Sequence, residues 1–199
     1  MDINALRKAV KYIQQGGILV YPTDTCYGLG CDATNPKAIE KIYRIKEREK
    51  NKPLPLIASS IEMIEKYVFL EEKAIKLFLA FPGISVSLRK KGNAIPDTVN
   101  REKIAFRIPS NEVSRKLSEM SNKPLVSTSA NRSGDEPPYS IEEVKISLKN
   151  FIKDIDFFLD GGVLDKNPPS TIIDLVDGKI ERIGSIKEKQ IRDLLEGHL

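Results

Sequence analysis

Hydroxyl-bearing residues crowd the segment that follows the first apolar run of the chain. Thr23, Asp24 and Thr25 come directly after a short strand-like pattern, and Gly28 and Gly30 lie shortly beyond them. Glycine lets a backbone or a ligand approach closely because it has no side chain. The segment therefore predicts a loop whose hydroxyl and amide groups hold a small polar substrate. A tight turn in which threonine and aspartate act as caps fits the same residues.

A run of cations leads into a segment that is broken by prolines. Its basic residues are Lys41, Arg44, Lys46, Arg48, Lys50 and Lys52. Within this stretch only Glu47 and Glu49 oppose them. Lysine supplies a point charge and arginine a planar fork, and the two together can neutralise a phosphate chain. The run is therefore a candidate triphosphate site, and a solvated helix face is the alternative.

Two polar segments and two arginines lie beside or on predicted strands. Residues 127–134 have the sequence STSANRSG and residues 167–171 have the sequence NPPST. Such side chains offer hydrogen-bond donors and acceptors with little bulk, although ordinary turns have a similar composition. Arg107 and Arg182 lie on predicted strands, where a buried guanidinium needs a partner. That partner is either a substrate carboxylate or phosphate, or a structural aspartate.

The sequence excludes several catalytic classes. The single histidine is His198, and the two cysteines are Cys26 and Cys31. We therefore expect neither a Ser-His-Asp nor a Cys-His mechanism, nor a metal site built from several histidines. The cysteine spacing matches no common zinc pattern. A net charge of +4 and a pI near 8.9 permit contact with phosphates or RNA without requiring it.

Alternating helix and strand patterns must position these segments. The predicted helices span residues 3–15, 36–50, 60–67, 71–80, 110–120 and 140–150, and a last one is capped by Ser185 and Glu188. The predicted strands span residues 18–21, 54–58, 85–89, 103–108, 125–128, 157–159, 171–176 and 179–183, with Asp177-Gly178 as a hairpin turn between the last two. Residues 22–33 are predicted to form a loop. This interleaving predicts an α/β fold on a mixed, twisted sheet.

The length and the hydropathy fit one domain. A chain of 199 residues is long enough to bury a sizeable core. No apolar run approaches the roughly 18 residues of a membrane helix. The first helix places Ile3, Leu6, Val10 and Ile13 on one face, which is an amphipathic pattern unlike that of a signal peptide. We therefore expect a single domain over residues 1–199, a cytoplasmic location and no membrane partner.

Six segments, in this order, resemble those of the YrdC/TsaC family. They are YPTDTCYGLGCDA, KEREKNKPLPLI, FRIP, STSANRSG, PPSTIIDL and RIG, and they cover nearly the whole chain. The KxRxxxKPL and SxN elements are the most distinctive. The resemblance implies a YrdC-like α/β fold, with a twisted mixed sheet and flanking helices around a positively charged concave cavity. Some relatives carry a second C-terminal domain, and this chain resembles the short, single-domain type.

The resemblance also implies a reaction. Members of the family make L-threonylcarbamoyl-adenylate from L-threonine, bicarbonate and ATP and release pyrophosphate. A threonylcarbamoyl-transferase complex then modifies tRNA with the product, so that complex and tRNA are the expected downstream partners. Mg²⁺ is expected to arrive with ATP, coordinated mainly by phosphate and water oxygens. Two alternatives remain at this stage, namely an RNA-binding module without catalysis and another carbamoyl- or adenylyl-transferase on the same fold.

Matching positions give individual residues an implied role. The implied contacts of L-threonine are Thr23, Thr25, Arg107, Ser127 and Ser170, with Thr171 beside the last. The implied contacts of ATP are Lys46, Arg48, Lys52, Ser129, Asn131 and Arg182. The three basic residues of the KxRxxxKPL motif are also implied to be catalytic, because they would offset the charge that builds up on the phosphates. Arg107 is implied to grip the threonine carboxylate. Pro137 stands near where some relatives have a serine beside the nucleotide, so no contact is assigned there.

Overall fold

A nine-stranded mixed sheet forms the centre of the computed structural model, which describes residues 2–197. The strands are β1 (Leu19–Pro22), β2 (Tyr27–Asp32), β3 (Leu56–Ile57), β4 (Ser85–Arg89), β5 (Lys103–Arg107), β6 (Leu125–Ser129), β7 (Phe157–Phe158), β8 (Ile172–Asp174) and β9 (Lys179–Arg182). The helices are α1 (Ile3–Gln14), α2 (Pro36–Ile45), α3 (Ile61–Glu65), α4 (Glu72–Ala80), α5 (Glu112–Ser121), α6 (Ile141–Ser147) and α7 (Glu188–Leu195). The order across the sheet is β7-β1-β2-β6-β3-β5-β4-β8-β9. The predicted α/β fold with a mixed sheet and flanking helices is confirmed.

The loop predicted over residues 22–33 is wrong for most of its length. Tyr27–Asp32 forms β2, which pairs antiparallel with both β1 and β6. Gly30 lies opposite Ser127 in this register. A Cβ atom at Gly30 would lie 2.3 Å from a backbone carbonyl oxygen of β6, so this glycine permits close strand packing rather than a turn. The turn itself is confined to residues 23–26.

Capping and backbone conformation place several helix boundaries away from their predicted positions. The helix α2 stops short of residue 50, and Glu47, just beyond it, has a φ of +48° in the left-handed region. The N-cap of α5 is Asn111 rather than Ser110, because the Asn111 side chain accepts a hydrogen bond from the first turn. The helix α7 begins after Lys187 rather than at Ser185.

Apolar residues pack into two clusters, which receive alternate residues of β1. Leu19 and Tyr21 belong to the smaller cluster, which includes residues of α1 and α5, whereas Val20 belongs to the larger one. Alternate residues of a strand point to opposite faces of a sheet, so the two clusters lie on its two sides. Leu6 is buried as predicted, but Ile3 in the first turn of α1 is 45% exposed. None of the helices within residues 2–197 is long and apolar enough to cross a membrane.

Polar side chains interrupt the apolar pattern of neighbouring strands. Ser85 and Ser87 on β4 are buried, and Ser85 pairs in register with Arg107 on β5. Ser127 and Ser129 lie on β6, which β3 separates from β5. Because β6, β3, β5 and β4 are consecutive in the sheet, the polar groups on β6, β5 and β4 converge on one region. The sheet therefore carries a polar site within an otherwise apolar framework.

Candidate active site

A cavity of about 680 Å³ opens over these strands, and a smaller one of about 50 Å³ adjoins it. Thr25, Arg107 and Ser127 line both. Within the described part of the chain, the cationic side chains that line the larger cavity are Arg48, Lys52, Lys103, Arg107 and Arg182. Its carboxylates, within the same residues, are those of Asp135 and Glu181. The excess of positive charge fits the predicted basic cavity and suits anionic ligands such as phosphates and carboxylates.

The turn between β1 and β2 is held by its own hydroxyl groups. Thr23 Oγ1 donates to the carbonyl oxygen of Cys26 at 2.7 Å and accepts from the amide nitrogens of Thr25 and Cys26 at 3.2 and 3.3 Å. Thr23 lines the smaller cavity, and Thr25 lines both. Burial raises the pKa of the Cys26 thiol, and the contact with the Thr25 hydroxyl offsets part of this rise. These threonines can therefore cap the turn and still line a cavity that could hold a ligand.

The basic motif divides into residues that line the cavity and one that does not. Arg48 and Lys52 line it. Arg48 Nε donates to the carbonyl oxygen of Lys52 at 3.2 Å, and Nη2 donates to that of Pro53 at 2.9 Å, so the guanidinium shapes the proline-broken loop. Burial lowers the pKa of Arg48 from its usual value. The Lys52 side chain is 57% exposed, and its Nζ lies 3.4 Å from Glu49 Oε2.

Lys46 lies within the protein and is absent from the residues that line the two cavities. Its Nζ donates to the carbonyl oxygens of Ser129 at 2.5 Å and Asn131 at 2.8 Å, and to Asn131 Oδ1 at 3.2 Å. Burial, followed by the nearby charge of Arg48, lowers the pKa of Lys46 to about 7. The ammonium group therefore joins the end of α2 to the loop after β6, while the predicted contact with ATP stays a prediction.

The loop after β6 is fixed by a chain of hydrogen bonds around Asn131. Ser129 Oγ donates to Asn131 Oδ1 at 2.6 Å, and Asn131 Nδ2 donates to the carbonyl oxygens of Asp135 at 2.6 Å and Glu136 at 3.2 Å. Ser127, Ser129 and Asn131 all line the larger cavity, as does Pro137, for which no contact was assigned. Asn131 is nevertheless 95% buried, since its relative exposure is 5%. Its side chain thus orders the loop from within while bordering the cavity.

The two strand arginines have different partners. Arg107 Nη2 donates to Asp24 Oδ2, so a structural aspartate is present beside this guanidinium. Arg182 Nε donates to the carbonyl oxygen of Ser170 at 2.9 Å, and Nη2 donates to Ser170 Oγ at 3.0 Å. Burial lowers the pKa of Arg182, and the charge of Arg107 adds to this effect. All three of Arg107, Arg182 and Ser170 line the larger cavity.

The side chain of Thr171, next to Ser170, makes its contacts inside the protein. It is fully buried, and its Oγ1 donates to the carbonyl oxygen of Ile186 at 2.8 Å. The same oxygen accepts from the amide nitrogens of Gly184 at 2.9 Å and Ile186 at 3.0 Å. Its hydroxyl group therefore joins β8 to the segment that precedes α7.

Sequence reasoning missed several residues that border the site. Lys103 lines the larger cavity and forms ion pairs with the buried Asp174, at hydrogen-bonding distance, and with Asp177 at 2.8 Å. The signal that could have found Lys103 is strand alternation, because residues 103, 105 and 107 share one face of β5. The sequence predicted at most a capping role for Asp24, although this residue stands between two residues assigned to the substrate.

Comparison with known proteins places this site in a family. The Sua5/YciO/YrdC family model, whose description is "Telomere recombination", matches residues 11–184. The chain belongs to the Sua5/YciO/YrdC family. The KxRxxxKPL and SxN segments both lie inside the matched range. Family membership agrees with the resemblance that the sequence motifs indicated.

Two curated members of the Sua5/YciO/YrdC family align over most of this chain. A putative threonylcarbamoyl-AMP synthase of Methanocaldococcus jannaschii is 40% identical over 171 residues, which are 85% of this chain and 80% of that protein. A threonylcarbamoyl-AMP synthase of Pseudoalteromonas translucida is 33% identical over 187 residues, which are 91% of this chain and 98% of that protein. This chain is therefore comparable in extent with these relatives.

A solved structure of the family has the same fold. The crystal structure of P. abyssi Sua5 complexed with L-threonine superimposes with a TM-score of 0.88 at 30% identity. The match covers 96% of this chain and 57% of the P. abyssi chain. This chain thus spans somewhat more than half the length of that Sua5 protein.

Proposed function

We propose that this chain is an L-threonylcarbamoyl-adenylate synthase, a nucleotidyltransferase that condenses L-threonine, bicarbonate and ATP. The observation that carries the proposal is the larger cavity, whose wall combines Arg107, a hydroxyl-rich loop and further cations, which are groups that suit a carboxylate and phosphates. The names of the two curated relatives support this activity. The L-threonine that P. abyssi Sua5 holds in its crystal structure supports the amino-acid substrate.

The reaction divides into two steps. The threonine amine attacks dissolved carbon dioxide with loss of one proton, or bicarbonate with loss of water, and in either case a carbamate forms. A carbamate oxygen then attacks the α-phosphorus of ATP, and pyrophosphate leaves with the electron pair of the broken P–O bond. This sequence requires no protein nucleophile. Catalysis therefore rests on positioning and on electrostatic stabilisation of the transition state.

The predicted site residues have different roles in this proposal. Arg107 binds the threonine carboxylate, and Arg48 and Lys52 offset the charge that develops on the phosphates. The remaining residues proposed to contact L-threonine are Thr23, Thr25, Ser127 and Ser170. The remaining residues proposed to contact the nucleotide are Ser129, Asn131 and Arg182. Lys46 acts mainly through the loop that it holds, since its ammonium group already has three acceptors.

We propose that Mg²⁺ enters as part of the ATP substrate. Among residues 2–197, no three or more His, Cys, Asp or Glu side chains are grouped so that they could hold a metal ion. Phosphate and water oxygens suit Mg²⁺, which keeps much of its hydration shell in nucleotide sites. Asp135 and Glu181 are the carboxylates on the described wall of the larger cavity that could accept hydrogen bonds from such water.

We also propose that the product passes to tRNA through a threonylcarbamoyl-transferase complex. A mixed anhydride of a carbamate and a phosphate is an activated group, so it can transfer its threonylcarbamoyl part to a downstream acceptor. The RNA-binding alternative is less favoured because the curated relatives are named as synthases. RNA binding with a steep salt dependence but without ATP turnover would favour that alternative.

Pyrophosphate release tests the proposed function. We expect release from ATP that depends on both L-threonine and bicarbonate, with L-serine a poorer substrate. Arg107→Ala and Lys52→Ala should each abolish most of the release. Asp97→Asn is the matched control, because Asp97 is 63% exposed in its side chain and does not line either cavity. Absence of release from folded protein under all these conditions would refute the proposal.

A further inference from the structure

Asp24 is the one acidic residue of the turn between β1 and β2, and its carboxylate lies against a guanidinium from the middle of the sheet. Its Oδ2 accepts a hydrogen bond from Arg107 Nη2 and another from Ser110 Oγ at 2.7 Å. The side chains of Asp24 and Arg107 are 19% and 13% exposed. The pair is therefore largely shielded from solvent, where a charge–charge hydrogen bond is stronger than at the surface.

The backbone on both sides of Asp24 is fixed. Thr23 Oγ1 closes the turn by its hydrogen bonds to Thr25 and Cys26. Asn167 Nδ2 donates to the carbonyl oxygen of Asp24 at 3.1 Å from a loop distant in sequence. A carboxylate on such a braced turn has little freedom, so it can fix the orientation of the guanidinium that it contacts.

Gly83 leaves room for this ion pair. Its φ is +82°, and a Cβ atom at this position would lie 3.1 Å from Asp24 Oδ2 and 3.3 Å from Arg107 Nη2. Both distances are tighter than ordinary van der Waals contact, so a side chain here would press on the two charged groups. The glycine thus provides the left-handed backbone conformation and the space for the pair.

The pair uses only part of its hydrogen-bonding capacity. Asp24 Oδ1 and Arg107 Nε are both buried, and neither atom has a hydrogen-bond partner among residues 2–197. A bidentate arginine–carboxylate pair would use two parallel hydrogen bonds. Arginine has five N–H donors in a fixed fork. One bond to Asp24 therefore orients the guanidinium and leaves donors for a second carboxylate.

We propose that Asp24 is a positioning residue for the amino-acid substrate, because it holds the Arg107 guanidinium in the orientation that receives the substrate α-carboxylate. This inference rests on the proposed function, since it takes an α-amino acid as the ligand of Arg107. Asp24 acts through Arg107 and takes no part in bond making or breaking. Ser110, which donates to the same oxygen, supports the carboxylate in this task.

The test compares substrates with and without the carboxylate. For Asp24→Asn we expect the KM for L-threonine in pyrophosphate release to rise about 10-fold or more, with kcat within about 3-fold, as is typical of lost uniform binding. L-threonine amide, which lacks the carboxylate, serves as a competitor of L-threonine. Its inhibition constant should differ little between Asp24→Asn and the wild type. Asp24→Glu should recover part of the loss, and Ser110→Ala should raise KM by only about 2–5-fold. Asp97→Asn controls for the change in net charge.

Two results would overturn the positioning role. One is an unchanged or lowered KM for L-threonine in Asp24→Asn. The other is an equal weakening of the binding of L-threonine and of its amide, because the loss then does not depend on the α-carboxylate. Calorimetric binding of L-threonine to the wild type and to Asp24→Asn measures the same effect without turnover. Binding without pyrophosphate release would refute only the proposed function, whereas failure of the wild type to bind L-threonine would refute both proposals.

Discussion

The KxRxxxKPL motif contains a basic residue that is buried in the protein and others that line the cavity. The variant Lys46→Met tests the structural role of the buried one. Methionine keeps the length and the apolar stem of the side chain but removes all three hydrogen bonds to Ser129 and Asn131. Two backbone carbonyl groups then lose their charged donor. We expect the loss of these contacts to lower the stability of the protein and to loosen the loop after β6.

The expected change in the free energy of unfolding is the balance of two opposing contributions. Each buried carbonyl left without its donor costs about 1–3 kcal/mol, so two cost about 2–6 kcal/mol. Methionine also relieves the penalty of burying an ammonium group, which offsets part of this loss. We therefore expect the free energy of unfolding to fall by about 3 kcal/mol. For a chain of this size that corresponds to a melting temperature lower by about 6–12 °C.

Urea unfolding followed by far-ultraviolet circular dichroism measures this effect, because the chain has no tryptophan to serve as a fluorescent probe. Lys52→Met is the matched control, since the Lys52 side chain is 57% exposed and lines the cavity. It should change the free energy of unfolding by less than about 0.5 kcal/mol, as surface substitutions usually do, and should lower pyrophosphate release. Equal stability of Lys46→Met and the wild type would refute the assignment of Lys46 to the loop.

Three further expectations follow from the site and the sheet. Arg182→Lys cannot reproduce the paired contacts with Ser170, so pyrophosphate release should fall about 10-fold or more while the melting temperature changes little; wild-type activity in this variant would contradict the role of the fork. Because burial lowers the pKa of Lys46 to about 7, the unfolded chain binds more protons than the folded one between pH 7 and 10.5. The wild type should therefore gain stability relative to Lys46→Met as the pH rises through this window, by up to about 1.4 kcal/mol per pH unit, and parallel urea-unfolding curves would argue against it. Gly30→Ala places a Cβ atom 2.3 Å from the Val126 carbonyl oxygen, so it should lower the free energy of unfolding by about 3 kcal/mol or more in the same assay, and a neutral effect would count against close strand packing there.

Local patterns were sufficient for most of the fold. The apolar periodicity of α1 and the alternation on β4 predicted elements close to those observed. Their bounds were less accurate where side-chain caps decide them, as at Asn111 of α5. The sequence pattern did not predict β2, because its glycine residues are typical of loops. Their actual reason is the close approach of β6, which lies almost a hundred residues away in the chain.

The sequence by itself determined the chemistry that is available to this protein. It excluded histidine-based and multi-cysteine sites, and its ordered motifs indicated the family to which the chain belongs. It also placed hydroxyl groups and cations at the ends of strands, where the cavity was found. These features depend on residue type and order, which a sequence states directly.

Only the tertiary structure decided which way individual side chains point and what they meet. Lys46 and Lys52 belong to one motif, yet one is buried against the loop after β6 and the other reaches the cavity, because α2 ends at Ile45 and the chain turns at Glu47, between the two lysines. Asp24 and Arg107 are 83 residues apart, and nothing local to either predicts their contact. Spacing along a chain fixes which residues are neighbours in a helix or strand. The packing of distant strands fixes the environment of each charged group, and that environment determines whether the group binds a ligand or supports another residue that does.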